Sequence, residues 1–279
     1  MAKGGRIERK FKELRARGEA ALVPFIVAGD PDLQHTAMLV MEMEARGADI
    51  IELGVPFSDP MADGPANQRA LARGLASGAS VSAILGLVGE LRKQTQIPII
   101  LFGYFNPFFR YGCERLCADG AQAGVDGLLI VDMPPEESHE LVKPARAAGI
   151  DLIYLLAPTT PLERSRTIAR SASGFLYYVS VTGVTGARAQ VGSDVEQHVR
   201  QLSAITDLPI GVGFGISTPA QAREVAAYAD AVVVGSALSL QIEAHGKTDQ
   251  LLPAVGGLVG SMKEAMRAAR DTSANAASA

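Results

Sequence analysis

Eight short apolar runs of strand length, helical periodicity in the stretches between them, and a length of 279 residues predict a (β/α)8 TIM barrel with an additional N-terminal helix. The runs are residues 21–28, 48–53, 98–102, 126–131, 151–156, 175–180, 209–214 and 230–235. An open doubly wound sheet is the competing architecture, and eight successive units argue against it.

The basic, polar segment 6–17 precedes the first run and reads as an extra helix capping the bottom of the barrel. The second, fourth and fifth runs are introduced by Gly-Ala-Asp at 47–49, Gly-Val-Asp at 124–126 and Gly-Ile-Asp at 149–151, and the eighth more loosely by Ala229-Asp230. In each triplet the glycine ends a helix and the following residues start a strand. Pro98 and Pro209 stand at the first position of the third and seventh runs, where a missing N–H matters least. Between runs, Val81, Ile84, Leu85, Val88 and Leu91 fall on one helical face, as do Val195, Val199, Leu202 and Ile205. Residues 1–270 form a single catalytic domain in this reading, and the small-residue segment 271–279 is a flexible tail expected to fray.

Composition excludes several classes of function. Hydrophobic residues make up 48% of the chain with no unbroken run of bilayer length, which predicts a globular protein without a membrane role. The first 17 residues are too basic and polar for a signal peptide. Net charge is −4 and basic residues are scattered beyond residue 17, so no nucleic-acid groove is expected. Cys113 and Cys117 are too few for a disulfide framework and suit a reducing cytoplasm. Their spacing puts both on one helix face, but with no histidine nearby they read as buried thiols, and no metal site is expected.

The chemistry should lie at the carboxyl ends of the strands. Residues 52–64, Glu-Leu-Gly-Val-Pro-Phe-Ser-Asp-Pro-Met-Ala-Asp-Gly, leave the second run carrying three carboxylates. Strand alternation gives Glu52 the facing of Ile50, towards the barrel mouth, where burial without a cation raises a carboxyl pKa into the range of a proton donor and acceptor. The same position also suits a carboxylate that is hydrogen-bonded to neighbouring amides for structural reasons. Asp63, carried back over Glu52 by a loop shaped by Gly54, Pro56, Pro60 and Gly64, is the second candidate, although Asp beside Gly is also ordinary turn chemistry. Asp59 either braces the loop or meets a partner. Asp132, Tyr177 and Thr185 also fall at strand ends, whereas His35, His139, His198 and His245 fall in expected helices.

The turns Gly213-Phe214-Gly215 and Gly235-Ser236 follow the seventh and eighth runs and open helices, the usual phosphate site of this fold. Segment 180–188, Ser-Val-Thr-Gly-Val-Thr-Gly-Ala-Arg, reads as a lid. Tyr177 shares the facing of Phe175 and Val179 and lines the interior.

With segment 52–64, the stretches Pro24-Phe25, Ala28-Gly-Asp-Pro, Gly183-Val-Thr-Gly, Gly213-Phe-Gly and Gly235-Ser make the chain resemble the tryptophan synthase alpha subunit family, over about residues 3–270. The resemblance implies cleavage of indole-3-glycerol phosphate to indole and glyceraldehyde 3-phosphate. It implies that Glu52 moves protons at the indole C3 and the C3′ hydroxyl, and that Asp63 holds the indole N–H. It further implies phosphate on amides of Gly186, Gly215, Gly235 and Ser236 beside Phe214, a wall of Phe25, Phe102, Tyr104, Leu129 and Tyr177, and Thr185 ordering Asp63. No cofactor is implied in this chain; pyridoxal phosphate belongs to a beta-subunit partner in an alpha2-beta2 complex, met through Pro56, Asp59, Asn106 and Pro107. Phe105, Phe108, Phe109 and Tyr111 are expected as an exposed aromatic group at that contact. Asn67 stands where the family usually has an aliphatic residue; an amide buried there needs a hydrogen-bond partner, and it either turns away or weakens indole binding. Two other readings compete: a poorly active subunit that mainly activates its partner, and a different phosphate-binding barrel enzyme.

Overall fold

The computed structural model describes residues 4–180, 193–213 and 215–276. Its centre is a closed barrel of eight parallel strands in chain order. The strands are β1 (Ala21–Val27), β2 (Ile51–Gly54), β3 (Ile99–Gly103), β4 (Gly127–Ile130), β5 (Asp151–Leu156), β6 (Leu176–Val179), β7 (Ile210–Gly213) and β8 (Ala231–Val234). Each expected run overlaps one of them, with ends that differ by up to three residues.

Helices surround the barrel: α1 (Arg6–Ala16), α2 (Leu33–Ala45), α3 (Pro65–Ala76), α4 (Val81–Leu91), α5 (Phe105–Tyr111), α6 (Cys113–Ala123), α7 (His139–Ala148), α8 (Leu162–Ser171), α9 (Ser193–Ser203), α10 (Pro219–Ala226), α11 (Ser236–His245) and α12 (Leu251–Ala276). Helix α12 continues past residue 271, into the segment that the sequence assigns to a tail. Among the described residues no single helix is long and apolar enough to cross a membrane.

Alternation along the strands divides the core in two. One set, including Val23, Phe25, Ile50, Ile100, Phe102, Leu129, Ile153, Phe175, Tyr177 and Val233, fills the barrel interior. The other, including Leu22, Ile26, Ile51, Leu101, Leu128, Leu176 and Val232, packs under the helices. As expected, α1 plugs the bottom: Ile7, Phe11 and Leu14 join the interior set, and the Phe11 and Phe175 ring centroids are 5.7 Å apart. Cys113 and Cys117 are buried free thiols.

The recurring aspartates have a role beyond marking strand starts. Asp49, just before β2, accepts a hydrogen bond from the amide of Leu22 on β1 at 2.8 Å. Asp126, before β4, accepts from Ile99 on β3 at 2.8 Å, and Asp230, before β8, accepts from Ile210 on β7 at 2.9 Å. Ser173, before β6, takes the same part for Leu152 on β5 at 2.9 Å. Each odd strand therefore has an amide near its start held by a side chain that introduces the following even strand, satisfying a donor that the ladder leaves over.

All three of these aspartates are also ion-paired, Asp230 loosely, with Arg15 at 4.0 Å. Asp126 meets Arg92 at 2.8 Å and Arg6 at 3.0 Å. Asp49 meets Lys263 of α12 at 2.7 Å, and that lysine is only 3% exposed. Removing Asp49 would leave the buried Lys263 ammonium, among the described residues, with only its longer pair to Glu19 at 3.3 Å, and weakening a buried pair is costly. Asp49→Ala should therefore lower stability by about 3 kcal/mol, read as a reduced urea midpoint, whereas Asp59→Ala at an exposed position should change it by less than about 0.5 kcal/mol.

Candidate active site

The carboxyl ends of β1, β2, β3, β6 and β8 open into a cavity of about 120 Å³ lined by Phe25, Glu52, Asp63, Gly64, Asn67, Phe102, Tyr177, Gly215, Ile216, Val233, Gly235 and Ser236. Glu52 pairs in register with Phe25 on β1 and Ile100 on β3, so its side chain shares the interior with the Phe25 and Phe102 rings, which lie edge to face at 4.9 Å between centroids. Glycine is required at Gly213: a Cβ there would stand 2.0 Å from the Tyr177 hydroxyl, so the bare backbone leaves room for that phenol inside the barrel.

Glu52 is fully buried, and neither carboxyl oxygen has a hydrogen-bond partner among the described residues. The reading of a carboxylate tied to neighbouring amides is thereby overturned. With nothing to stabilise its anion, burial pushes Glu52 from the ordinary 4.5 up to about 8. A group poised there exists in both protonation states at neutral pH, as proton donation followed by acceptance requires.

Asp63 is treated differently. It sits in the loop before α3, and its Oδ2 accepts a 2.6 Å hydrogen bond from the Tyr104 hydroxyl, which in turn accepts from the amide of Ala62 at 2.9 Å. Asn67 Nδ2 approaches Asp63 Oδ1 at 3.5 Å, and Gln68 Nε2 donates to the Asp63 carbonyl at 2.8 Å. Burial raises the Asp63 pKa, while the bonds from Tyr104 and Asn67 pull it back down. The Tyr104 phenol is raised by burial and then by its bond to Asp63; Tyr177 is raised well above its ordinary value by burial and then by the charges of Glu52 and Asp63. The two acids thus face one cavity in unlike settings, one apolar and unpartnered, one held by donors.

Asn67 does not turn away. Its Oδ1 accepts a 2.9 Å hydrogen bond from Ser239 of α11, so the amide is partnered at both ends. Gln68 and Ser239 were not singled out from sequence. Ile216 and Val233 were not either, although Val233 lies in the interior phase of β8, which period-two alternation marks.

The glycine turns differ from each other. At the start of α10, Thr218 and Gln221 form a reciprocal capping box, and Gln221 Oε1 also accepts from the Ser217 amide at 2.9 Å. At that terminus the backbone amides of Ser217, Thr218 and Gln221 donate to side-chain oxygens of the terminus itself, leaving Gly215, at φ +78°, and Ile216 as the parts of the turn that line the cavity. Helix α11 begins without a side-chain cap at Gly235, and Gly235 and Ser236 face the cavity. An uncapped helix start aimed into a cavity is suited to an anion. Thr185, Gly186 and Phe214, with all but the first residue of the expected lid, lie outside the described residues.

Leu129 is buried in the barrel interior and Tyr104 is hydrogen-bonded to Asp63; neither lines the cavity. None of the four histidines lines the cavity. Among the described residues no cluster of His, Cys, Asp and Glu is able to hold a metal ion. At the expected contact surface Asp59 and Asn106 are exposed and Pro107 is half-buried. Pro56 is buried, close enough to Gly74 that a Cβ there would stand 2.8 Å from its ring, so it shapes the loop and does not present surface. The four aromatics are not exposed as a group either: Phe108 is fully buried, Phe105 and Tyr111 are half-buried, and Phe109 is 54% exposed. The short, seven-residue α5 directs Phe108 inward, where an added Cβ on Gly103 would lie 3.3 Å from its ring.

The raised Glu52 pKa has a stability signature. Below about pH 4.5 the carboxyl is neutral in both folded and unfolded chains, and between 4.5 and about 8 the unfolded chain ionises while the folded one stays protonated. Wild-type stability should therefore fall as pH rises through that window, by up to about 1.4 kcal/mol per pH unit from this group. Glu52→Gln lacks the titration, so its stability relative to wild type, measured by urea unfolding from pH 4 to 9, should rise across the window and level off above it.

Against known proteins, the sequence profile described as tryptophan synthase alpha chain matches residues 11–267. The chain is similar to the tryptophan synthase alpha chain of Citrifermentans bemidjiense, 56% identical over 259 residues that cover 93% of this chain and 97% of that one. It is similar in structure to tryptophan synthase subunit alpha from Legionella pneumophila str. Paris, with a TM-score of 0.87 and 39% identity over 95% of this chain and 99% of that one. A chain from the Mycobacterium tuberculosis tryptophan synthase structure gives a TM-score of 0.86 at 34% identity, over 95% and 99% of the two chains. The chain belongs to the tryptophan synthase alpha chain family.

Proposed function

We infer that this chain is the alpha subunit of tryptophan synthase, a lyase that cleaves indole-3-glycerol phosphate to indole and D-glyceraldehyde 3-phosphate in L-tryptophan biosynthesis. The observation that carries the reading is the pair of unlike acids on one cavity: Glu52, unpartnered and poised near neutral, and Asp63, held by Tyr104.

The chemistry assigns them different steps. Protonated Glu52 gives its proton to the indole C3, and the positive charge that develops at the ring nitrogen falls to the Asp63 carboxylate. Glu52, now an anion, takes the proton of the C3′ hydroxyl. The carbon–carbon bond electrons return to the ring, leaving indole and an aldehyde, and Glu52 ends protonated as it began. One group performing both transfers needs a pKa near the working pH, which its burial supplies.

Phe25, Phe102 and Tyr177 line the cavity and are suited to the indole face, with Leu129 and Tyr104 supporting it. The anionic end fits the amides of Gly235 and Ser236 at the uncapped start of α11, with Gly215 opposite and Gly186 and Phe214 assigned by resemblance. Thr185 is the lid residue assigned to Asp63 on the same ground.

The partner is the beta subunit, in an alpha2-beta2 complex, and pyridoxal phosphate belongs there in this reading. Exposed Met61, Asp59, Asn106 and Phe109, with Pro107, offer it an apolar patch with a polar rim. The cytoplasm is the location that suits such an enzyme and its two free thiols.

Indole release from indole-3-glycerol phosphate tests the reading. The isolated chain should release indole, and more of it with the beta subunit present; no indole in either case overturns it. Glu52→Gln and Asp63→Asn should each lower turnover by at least about a hundredfold while retaining the wild-type circular dichroism spectrum.

A further inference from the structure

Asn67 lies one helical turn beyond Asp63, in the first turn of α3, and faces Ser239 in the first turns of α11. Its amide has one end at 2.9 Å from the Ser239 hydroxyl and the other at 3.5 Å from Asp63 Oδ1. The amide nitrogen faces Asp63 and the carbonyl oxygen faces the Ser239 hydroxyl, an orientation that suits a carboxylate that accepts and a hydroxyl that donates. Ser239 is 1% exposed, so without Asn67 its hydroxyl would lose this side-chain acceptor inside the protein.

The two helices are fixed against each other next to this contact. Arg69 of α3 forks onto Glu243 of α11 with two bonds of 2.7 Å, and Glu243 lies one turn beyond Ser239. Arg73 reaches Glu243 at 3.0 Å and forks onto the buried Asp30 with two bonds of 2.8 Å. A bidentate Arg–carboxylate pair fixes distance and orientation together. The register of α3 on α11 is therefore set by these pairs, and Asn67 passes that register to Asp63.

We propose that Asn67 is a positioning residue for this reaction, tying the Asp63 carboxylate through Ser239 to α11, the helix whose start faces the anionic end of the substrate. The inference rests on the lyase reading above and adds to it that orientation of the ring and capture of the anion share one rigid pair of helices. Among the described residues, an aliphatic residue at 67 would leave Asp63 with Tyr104 as its one side-chain donor and would disconnect it from α11.

Asp63 is faced by Tyr104 from the β3 end, Asn67 from α3, and Glu52 and Tyr177 from inside the barrel. Among the described residues Tyr104 and Asn67 are the two that favour its charged form, so loss of the Asn67 donor should make Asp63 harder to ionise.

The test uses Asn67→Leu, Ser239→Ala and the double variant, assayed with indole-3-glycerol phosphate across pH. Asn67→Leu should lower kcat about tenfold, the scale of a hydrogen bond to a charged group, with a smaller change in KM. The acidic limb of kcat/KM should move to higher pH. Ser239→Ala, which removes one hydroxyl and should fold normally, should shift the limb in the same direction by less, and should have no further effect in the Asn67→Leu background. An unmoved limb with wild-type kcat in Asn67→Leu overturns the proposal, as does a Ser239→Ala shift of equal size in both backgrounds. Titration of the Asp63 carboxyl by NMR in the unliganded chain separates this inference from the lyase reading. A raised Asp63 pKa in Asn67→Leu supports the positioning role even if wild type releases no indole, and an unchanged one overturns it even if wild type is active.

Discussion

A carboxyl group enclosed by phenyl rings, without a donor or cation against it among the described residues, is the constraint around which the mouth of this barrel is arranged. Glu52 raises the free energy of the folded chain whenever it is ionised, and the surrounding strands tolerate this because apolar packing within and around the barrel is extensive. An arginine beside it would relieve the strain and also hold it permanently charged, ending its use as a proton donor. The apolar lining from Phe25, Phe102 and Val233 thus holds a proton on the acid as well as offering a surface to a flat ring.

The second acid needs the reverse treatment, and its support comes from helices and loops instead of strands. Tyr104 at the end of β3, Asn67 in α3 and Gln68 on the backbone fix Asp63 from three directions. A strand position is rigid through its ladder, whereas a loop position must be made rigid by side chains. That difference explains why Glu52 is surrounded by residues with no polar reach and Asp63 by residues with plenty.

Much of this was legible in the sequence wherever the signal was local. Eight apolar runs gave the strand count, and period-two alternation placed Ile50, Glu52, Phe175 and Tyr177 inside the barrel. What escaped was contact between residues far apart in the chain. Asn67 and Ser239 are separated by 172 positions and Asp63 and Tyr104 by 41, and no periodicity links them. The capping box of Thr218 and Gln221 is local and written as a Thr-x-x-Gln spacing, but the glycines before it carry a turn signal as strong as that at Gly235, so the spacing of glycines alone does not tell the two helix starts apart. The aromatic cluster differs for a related reason: four aromatics in seven residues suggest exposure, but a helix of only seven residues is enough to fold Phe108 under its neighbours.

The acceptors Asp49, Asp126, Ser173 and Asp230 have a consequence for how the molecule divides its tasks. Each secures the strand behind it, so the lower rim is stitched in four couples, every stitch supplied by the segment that the chain enters next. The upper rim carries no matching set among the described residues. Its side chains are thereby released to serve a reaction, and amino-acid change at one end of the molecule can alter what the protein converts without loosening what keeps it closed.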